Sequence, residues 1–163
     1  VQAFGSIAAI VAAWGIAHHE SRRASIAAAH ERERAAETSR QAEREASELV
    51  RNVIEAARDC ARSIAVSASP TFIQGNDKVN FRLMRIAWSD HRDAIKSLVL
   101  RPGVDNRLMV IVYGALNCTR MGDLLLSADS YREHIGTAFS DIEIAAWNDI
   151  AEELGHCIVQ LAP

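Results

Sequence analysis

Proline and glycine are scarce in this chain of 163 residues, which contains 3 prolines and 8 glycines. Both residues interrupt regular backbone, so the long segments without them favour long helices. Those segments are rich in Ala, Arg, Glu and Leu, which have high helix propensity, and few of them alternate with the period of two that marks strands. We therefore predict an all-α protein, in which a long N-terminal helix leads into an antiparallel bundle of about four helices.

Signatures of catalysis and of cofactor binding are also missing. The sequence contains no G-x-S-x-G, P-loop, G-x-G-x-x-G or H-E-x-x-H pattern. Glu153-x-x-His156 has the spacing of di-iron bundles, but the second copy that such a site needs is absent. His156 and Cys157 are adjacent and so point about 100° apart on a helix, which prevents a nucleophile–base pair. We predict a protein that is not an enzyme and has no catalytic residue, metal or cofactor.

Basic and acidic residues nearly balance over the whole chain, and cysteines are few. The net charge of −3 provides no basic field that would attract nucleic acid, so no nucleic-acid partner is expected. The three cysteines lie far apart among apolar residues without C-x-x-C spacing. We interpret them as reduced, buried side chains rather than as a disulfide framework.

Residues 1–17 carry no charge, and 17 residues is the lower limit for crossing a bilayer core. Trp14 lies near one end, as interfacial aromatic residues do, and Arg22 and Arg23 follow, where basic residues favour the cytoplasmic side. Small residues spaced by four form a face that another helix can approach closely: Gly5, Ala9, Ala13 and Ala17. We predict an anchor in the inner (cytoplasmic) membrane with the body on the cytoplasmic side. The alternatives are a buried helix or oligomer contact in a soluble protein, and a targeting segment.

Residues 18–48 form a charged segment that we predict to be a helical stalk. Between positions 18 and 69 the chain contains nine arginines and nine acidic residues, many at helical neighbour spacing. The only apolar residues between His30 and Glu45 are alanines. A strong coiled coil requires larger seam residues, so we expect an exposed helix or a loose, alanine-rich coil.

Residues 49–163 carry the apolar stripes of the predicted bundle. The first helix is expected over residues 5–69, the second over 78–100, the third over 104–126 and the fourth over 131–160. Arg101-Pro102-Gly103 is the predicted break between the second and third helices. Ser130 and Glu133 match a capping box at the start of the fourth helix, and Gly136-Thr137 or the similar pair Ser140 and Glu143 could kink or interrupt it. The third contains the uncharged stretch 108–116, which predicts a central helix covered on several sides, with a strand over 108–113 as the alternative. The seam is predicted from residues at 3-4 spacing: Val50, Val53, Cys60, Ile64, Phe81, Met84, Trp88, His91 and Ile95.

These patterns lead to three functional hypotheses. The first is a membrane-anchored scaffold or interaction protein, whose partners are the lipid bilayer and either another protein or a second copy bound by helix packing. The second is a sensory or regulatory bundle that binds a small ligand between its helices. The third is a soluble helical subunit of a larger assembly, such as a virion or a secretion machine.

Overall fold

The computed structural model describes the backbone of residues 2–67, 81–128 and 139–161 and the side chains of residues 14–67, 83–127 and 139–161. These described residues form four α-helices. They are α1 (Gln2–Ser67), α2 (Phe81–Leu98), α3 (Asn106–Ala128) and α4 (Asp141–Val159). These ranges contain no strand, so the strand considered for residues 108–113 is wrong. The predicted all-α fold is confirmed, and the ends of the first three helices agree with the prediction within three residues.

The chain divides into two compact units, Val1–Ala42 and Glu43–Pro163. The first unit is helical from Gln2, and every one of its described side chains, from position 14 to 42, is exposed. Trp14 stacks on His18 with ring centroids 5.5 Å apart. Further along, His30 Nδ1 lies 3.5 Å from Glu33 Oε2. Such exposed pairs contribute only a few tenths of a kcal/mol each, so alanine-rich helix propensity carries most of this segment's helicity.

The core of the second unit begins at Ala46. The buried stripe of α1 repeats every three or four residues and consists of Ala46, Val50, Ile54, Ala57, Ala61, Ile64 and Ala65. Val53 and Cys60 were predicted on this seam but lie at its edge, half-buried against the core. Small residues such as Ala57 and Ala61 occupy the buried positions instead. Their size allows a neighbouring helix to approach closely.

A tight turn joins α2 to α3. Gly103 has φ of 87°, a left-handed conformation that glycine adopts without strain. Asp105 Oδ1 then accepts a hydrogen bond from the backbone N of Leu108 at 2.8 Å, which satisfies one of the open donors at the start of α3. The predicted break at Arg101-Pro102-Gly103 therefore corresponds to the observed connection.

The helix α4 begins at a capping box. The backbone N of Ser140 donates to Glu143 Oε2 at 2.7 Å, and the Ser140 hydroxyl accepts from the backbone N of Glu143. The sequence placed the start near Tyr131, at the similar pair Ser130 and Glu133. That pair lies outside the described residues, and the interruption considered at Ser140 is where the described helix starts.

Contacts along the helices establish the antiparallel order. Arg51 Nη2 donates to the carbonyl of Leu161 at 3.2 Å, whereas Arg58, two turns later in α1, lies beside Gly155, earlier in α4. Between α2 and α3, which are joined by the short turn, Arg92 Nη1 donates to an Asp123 carboxylate oxygen at 2.8 Å. The predicted antiparallel bundle is thus confirmed.

Two tryptophans meet in the centre of the bundle. Trp88 of α2 and Trp147 of α4 are fully buried and pack edge to face, with ring centroids 4.9 Å apart. Trp88 Nε1 donates to the carbonyl of Thr119 at 3.2 Å. A Cβ on Gly122 would lie 2.5 Å from the Trp88 ring, so α3 can approach this ring only because position 122 lacks a side chain.

Among the described residues, one helical segment, Asn106–Ser127, is long and apolar enough to cross a membrane by length and composition, with about a third of it buried. It coincides with α3, which packs on α2 and α4 and carries Arg120 and Asp123. We treat it as a bundle helix. The expected cover on several sides is incomplete, because Val110 and Tyr113 are exposed.

Candidate functional site

The residues predicted to contact the membrane lie in the first unit. Gly5, Ala9 and Ala13 belong to the backbone of α1, and their side chains lie outside the described residues. The remaining predicted residues of this group all have exposed side chains: Trp14, Ala17, Arg22 and Arg23.

The predicted seam residues divide by burial. Four are buried in the core: Val50, Ile64, Trp88 and Ile95. Four are half-buried: Val53, Cys60, Met84 and His91. The side chain of Phe81 lies outside the described residues. His91 is at the margin of the bundle, whereas the sequence placed it in the apolar stripe.

The outward side of α3 carries an apolar ridge that we define by four exposed side chains. Their exposed fractions are 70% for Val110, 56% for Tyr113, 53% for Met121 and 62% for Leu124. The spacings of three, eight and three residues place them on one face of the helix. This face is opposite the stripe that α3 buries, which includes Leu108, Ala115 and Leu126.

A cleft of about 440 Å³ lies between α3 and α4, on one side of the ridge. Its volume falls within the usual range for small-molecule sites. Its lining is mostly apolar and comprises Asn117, Cys118, Met121, Leu124, Leu125, Glu143, Ala146, Asp149, Ile150 and Glu153. Three of these ten residues are acidic and none is basic, so the cleft offers negative charge to whatever occupies it.

The three carboxylates of this cleft have different surroundings. Glu143 Oε2 accepts hydrogen bonds from the backbone and the hydroxyl of Ser140 as part of the helix cap. Glu153 Oε2 lies 3.8 Å from His156 Nδ1, and both side chains are mostly exposed. Asp149 and Glu153 are four residues apart and therefore neighbours on one helical face.

Two thiols lie beside the same cleft. Cys118 and Cys157 share a hydrogen bond. This bond and burial raise the pKa of Cys118 above its ordinary range, whereas the same bond lowers the pKa of Cys157 against the opposing effect of burial. The charge of Glu153 raises the pKa of both thiols. Cys60 is separate on α1, where burial raises its pKa to about 11. All three are free thiols, in agreement with the absence of a disulfide framework, but only Cys157 is buried as predicted; Cys60 and Cys118 are half-buried because they lie at the edges of their helices' buried stripes.

A second cleft, of about 670 Å³, lies between α2 and α3 on the other side of the ridge. Its lining includes Arg92, Lys96, Leu100, Tyr113, Arg120 and Asp123. Arg92 pairs with Asp123 at 2.8 Å, and their hydrogen bond raises the pKa of the guanidinium. With three bases and one acid, this cleft has the opposite charge to the cleft between α3 and α4.

Within the described ranges, no three His, Cys, Asp or Glu side chains come together in a way that could hold a metal ion. The sequence analysis did not identify the ridge or its two flanking clefts. The spacing of Val110, Tyr113, Met121 and Leu124 was the available signal, because it defines a second apolar stripe on a helix that already has a core stripe.

No known protein family, curated protein or solved structure matches this chain.

Proposed function

We propose that this protein is a membrane-anchored, non-enzymatic helical interaction protein. The observation that carries the proposal is a change in side-chain burial along α1, from a fully exposed segment to a segment with a buried stripe. Every described side chain from position 14 to 45 is exposed, and burial begins at Ala46. A helix stretch of this kind links two parts of a protein instead of forming a core.

The uncharged residues 1–17 support a bilayer as the partner at one end of this link. Trp14 and Ile16 are large apolar side chains that α1 leaves exposed, and an interfacial tryptophan stabilises the end of a span. Arg22 and Arg23 follow within about two turns, where they can contact anionic headgroups on the cytoplasmic side. The small-residue face of Gly5, Ala9, Ala13 and Ala17 is suited to pairing with another helix in lipid.

The bundle supports interaction rather than catalysis. The close pair of thiols among its described residues lies between α3 and α4, with Cys157 buried and Cys118 half-buried. Its surface carries the apolar ridge of α3. Exposed apolar surface of this kind, bordered by charged residues, is typical of protein–protein contacts.

The test is flotation of the full chain with lipid vesicles after density-gradient centrifugation. An Ile10→Arg substitution places a charge in the middle of the uncharged segment and disfavours insertion by about 3 kcal/mol. Ala28→Arg adds the same charge to the exposed charged segment and is the matched control. We expect wild type and A28R to float and I10R to remain at the bottom. If the wild-type chain stays soluble without detergent and does not float, a soluble subunit of a larger assembly becomes the better account.

A small-ligand sensor is the second candidate, and the cleft between α3 and α4 favours it. The cleft combines an apolar lining with the carboxylates of Asp149 and Glu153. This combination suits an organic cation with an apolar body, because the apolar surface would supply affinity and a carboxylate would neutralise the charge.

A further inference from the structure

We propose that the outward face of α3 binds a second copy of this chain, in a twofold-symmetric dimer whose axis runs parallel to α3. The face consists of the apolar ridge, the basic cleft with α2 on one side and the acidic cleft with α4 on the other. The inference names the partner of the bundle and does not depend on whether residues 1–17 enter a bilayer.

The apolar ridge supplies the centre of this interface. Four large apolar side chains on α3 are more than half exposed, although the helix already buries a full stripe on its opposite side. Contacts between copies would remove this apolar area from water, which is the main favourable contribution to association. Leu100, in the turn that follows α2, is 88% exposed and lines the neighbouring cleft, so it extends the same apolar surface.

Charge on the two sides of the ridge selects a second copy as the partner. Lys96 and Arg120 line the cleft on the α2 side, whereas Asp149 and Glu153 line the cleft on the α4 side. A surface with bases on one side and acids on the other is complementary to itself when one copy is rotated by half a turn. Complementary charges of this kind select partners and fix their orientation.

The same charges also determine the orientation of the twofold axis relative to α3. If the axis runs parallel to α3, the two α3 helices are parallel, and the basic side of each copy faces the acidic side of the other. If the axis crosses α3 at a right angle, the helices are antiparallel and like charges face each other, which is unfavourable. Lys96 shares its cleft with Tyr113 and Arg120, and Glu153 shares its cleft with Asn117 and Met121. The two opposite charges therefore lie at similar levels along α3.

The first experiment measures the mass of the full chain in a mild non-ionic detergent by analytical ultracentrifugation. We expect a protein mass twice the 17.9 kDa of one chain. Lys96→Glu should raise the dissociation constant by about tenfold or more, because it opposes like charges, and combining it with Glu153→Lys should restore association. Glu152→Lys changes an exposed charge on α4 that lines neither cleft and is the matched control. Circular dichroism establishes that each variant is folded.

The second experiment tests the symmetry by oxidative cross-linking. Val110 and Leu124 are 14 positions apart, about 21 Å along a helix, and a disulfide requires Cα atoms within about 7 Å. In the parallel dimer, two copies of the Val110→Cys variant should form a disulfide with each other, and so should two copies of the Leu124→Cys variant. The wild-type chain gives the background level of cross-linking. A monomer, a dimer that K96E does not weaken, or cross-linking only between mixed V110C and L124C chains would overturn the inference. Failure here would leave the flotation result unaffected.

Discussion

The contact between Gly122 and Trp88 allows a stability prediction with a defined magnitude. A Cβ at position 122 would lie 2.5 Å from two carbons of the Trp88 ring and 2.6 Å from its nitrogen, whereas carbon atoms in contact are normally about 3.5–4.0 Å apart. Trp88 cannot move away easily, because it is fully buried, hydrogen-bonded to Thr119 and packed on Trp147. An added methyl group must therefore displace α3 from α2 by about 1 Å.

We expect Gly122→Ala to destabilise the bundle by about 2 kcal/mol. Overpacking a well-packed core costs about 1–3 kcal/mol, and weakening the Trp88 hydrogen bond adds up to about 1 kcal/mol. The better helix propensity of alanine offsets about 1 kcal/mol of this cost. In thermal unfolding followed by circular dichroism, the Tm should fall by about 8 °C for a unit of this size.

Gly155→Ala is the matched control for this prediction. The nearest atom to its added Cβ is Arg58 Cδ at 4.0 Å, an ordinary contact. The control should therefore leave the free energy of unfolding unchanged or raise it by up to about 1 kcal/mol. In a Trp88→Phe background, which removes Cζ2 and the hydrogen-bonded nitrogen from this contact, Gly122→Ala should cost less. The reasoning is refuted if G122A is as stable as G155A, or if the cost of G122A is the same in both backgrounds.

The remaining predictions concern the cleft between α3 and α4. If the cleft binds organic cations, tetrabutylammonium should raise the Tm of the full chain and the anion tetrabutylborate should not. Ala146→Trp, which fills the cleft, should abolish this increase in Tm. Equal effects of both ions on the Tm would contradict a charge-selective site. The Cys118 hydrogen bond lowers the pKa of Cys157, so Cys118→Ala should move alkylation of Cys157 by iodoacetamide to higher pH. Peptide mass spectrometry measures the alkylation of Cys157 separately from that of Cys60. The pKa of Cys60 is about 11, so its alkylation rate should rise about tenfold per pH unit between pH 8 and 10. An unchanged pH profile for Cys157 in the Cys118→Ala variant would argue against the thiol pair.

The helices could be predicted from local signals, because those signals are strong in this chain. Arg101-Pro102-Gly103 marked the break between α2 and α3. The pair Ser140 and Glu143, which was expected to kink or interrupt the fourth helix, is the cap at which α4 begins. The start predicted near Tyr131 used an equivalent local signal, and it lies outside the described residues.

The seam of α1 was predicted less well, because alanine carries little information in a hydrophobicity pattern. Val53 and Cys60 are larger than Ala57 and Ala61, yet the alanines are the buried residues. Their small size becomes favourable only when a neighbouring helix lies close, and this spacing is a tertiary property.

The candidate site could not be predicted for a similar reason. The clefts beside α3 depend on the separation of neighbouring helices, to which residues distant in sequence contribute, such as Cys118 and Glu153. The uncharged stretch 108–116 predicted a covered helix, but Val110 and Tyr113 are exposed. Hydrophobicity alone did not distinguish surface buried within one chain from surface available to a partner.

Membrane anchoring is tested most directly by extracting membranes that contain the full chain with alkaline carbonate, which removes peripheral proteins and leaves integral ones. We expect the wild-type chain to remain in the membrane pellet and Ile10→Arg to be released. Release of the wild-type chain into the supernatant, together with a folded and soluble product, would contradict the anchored account.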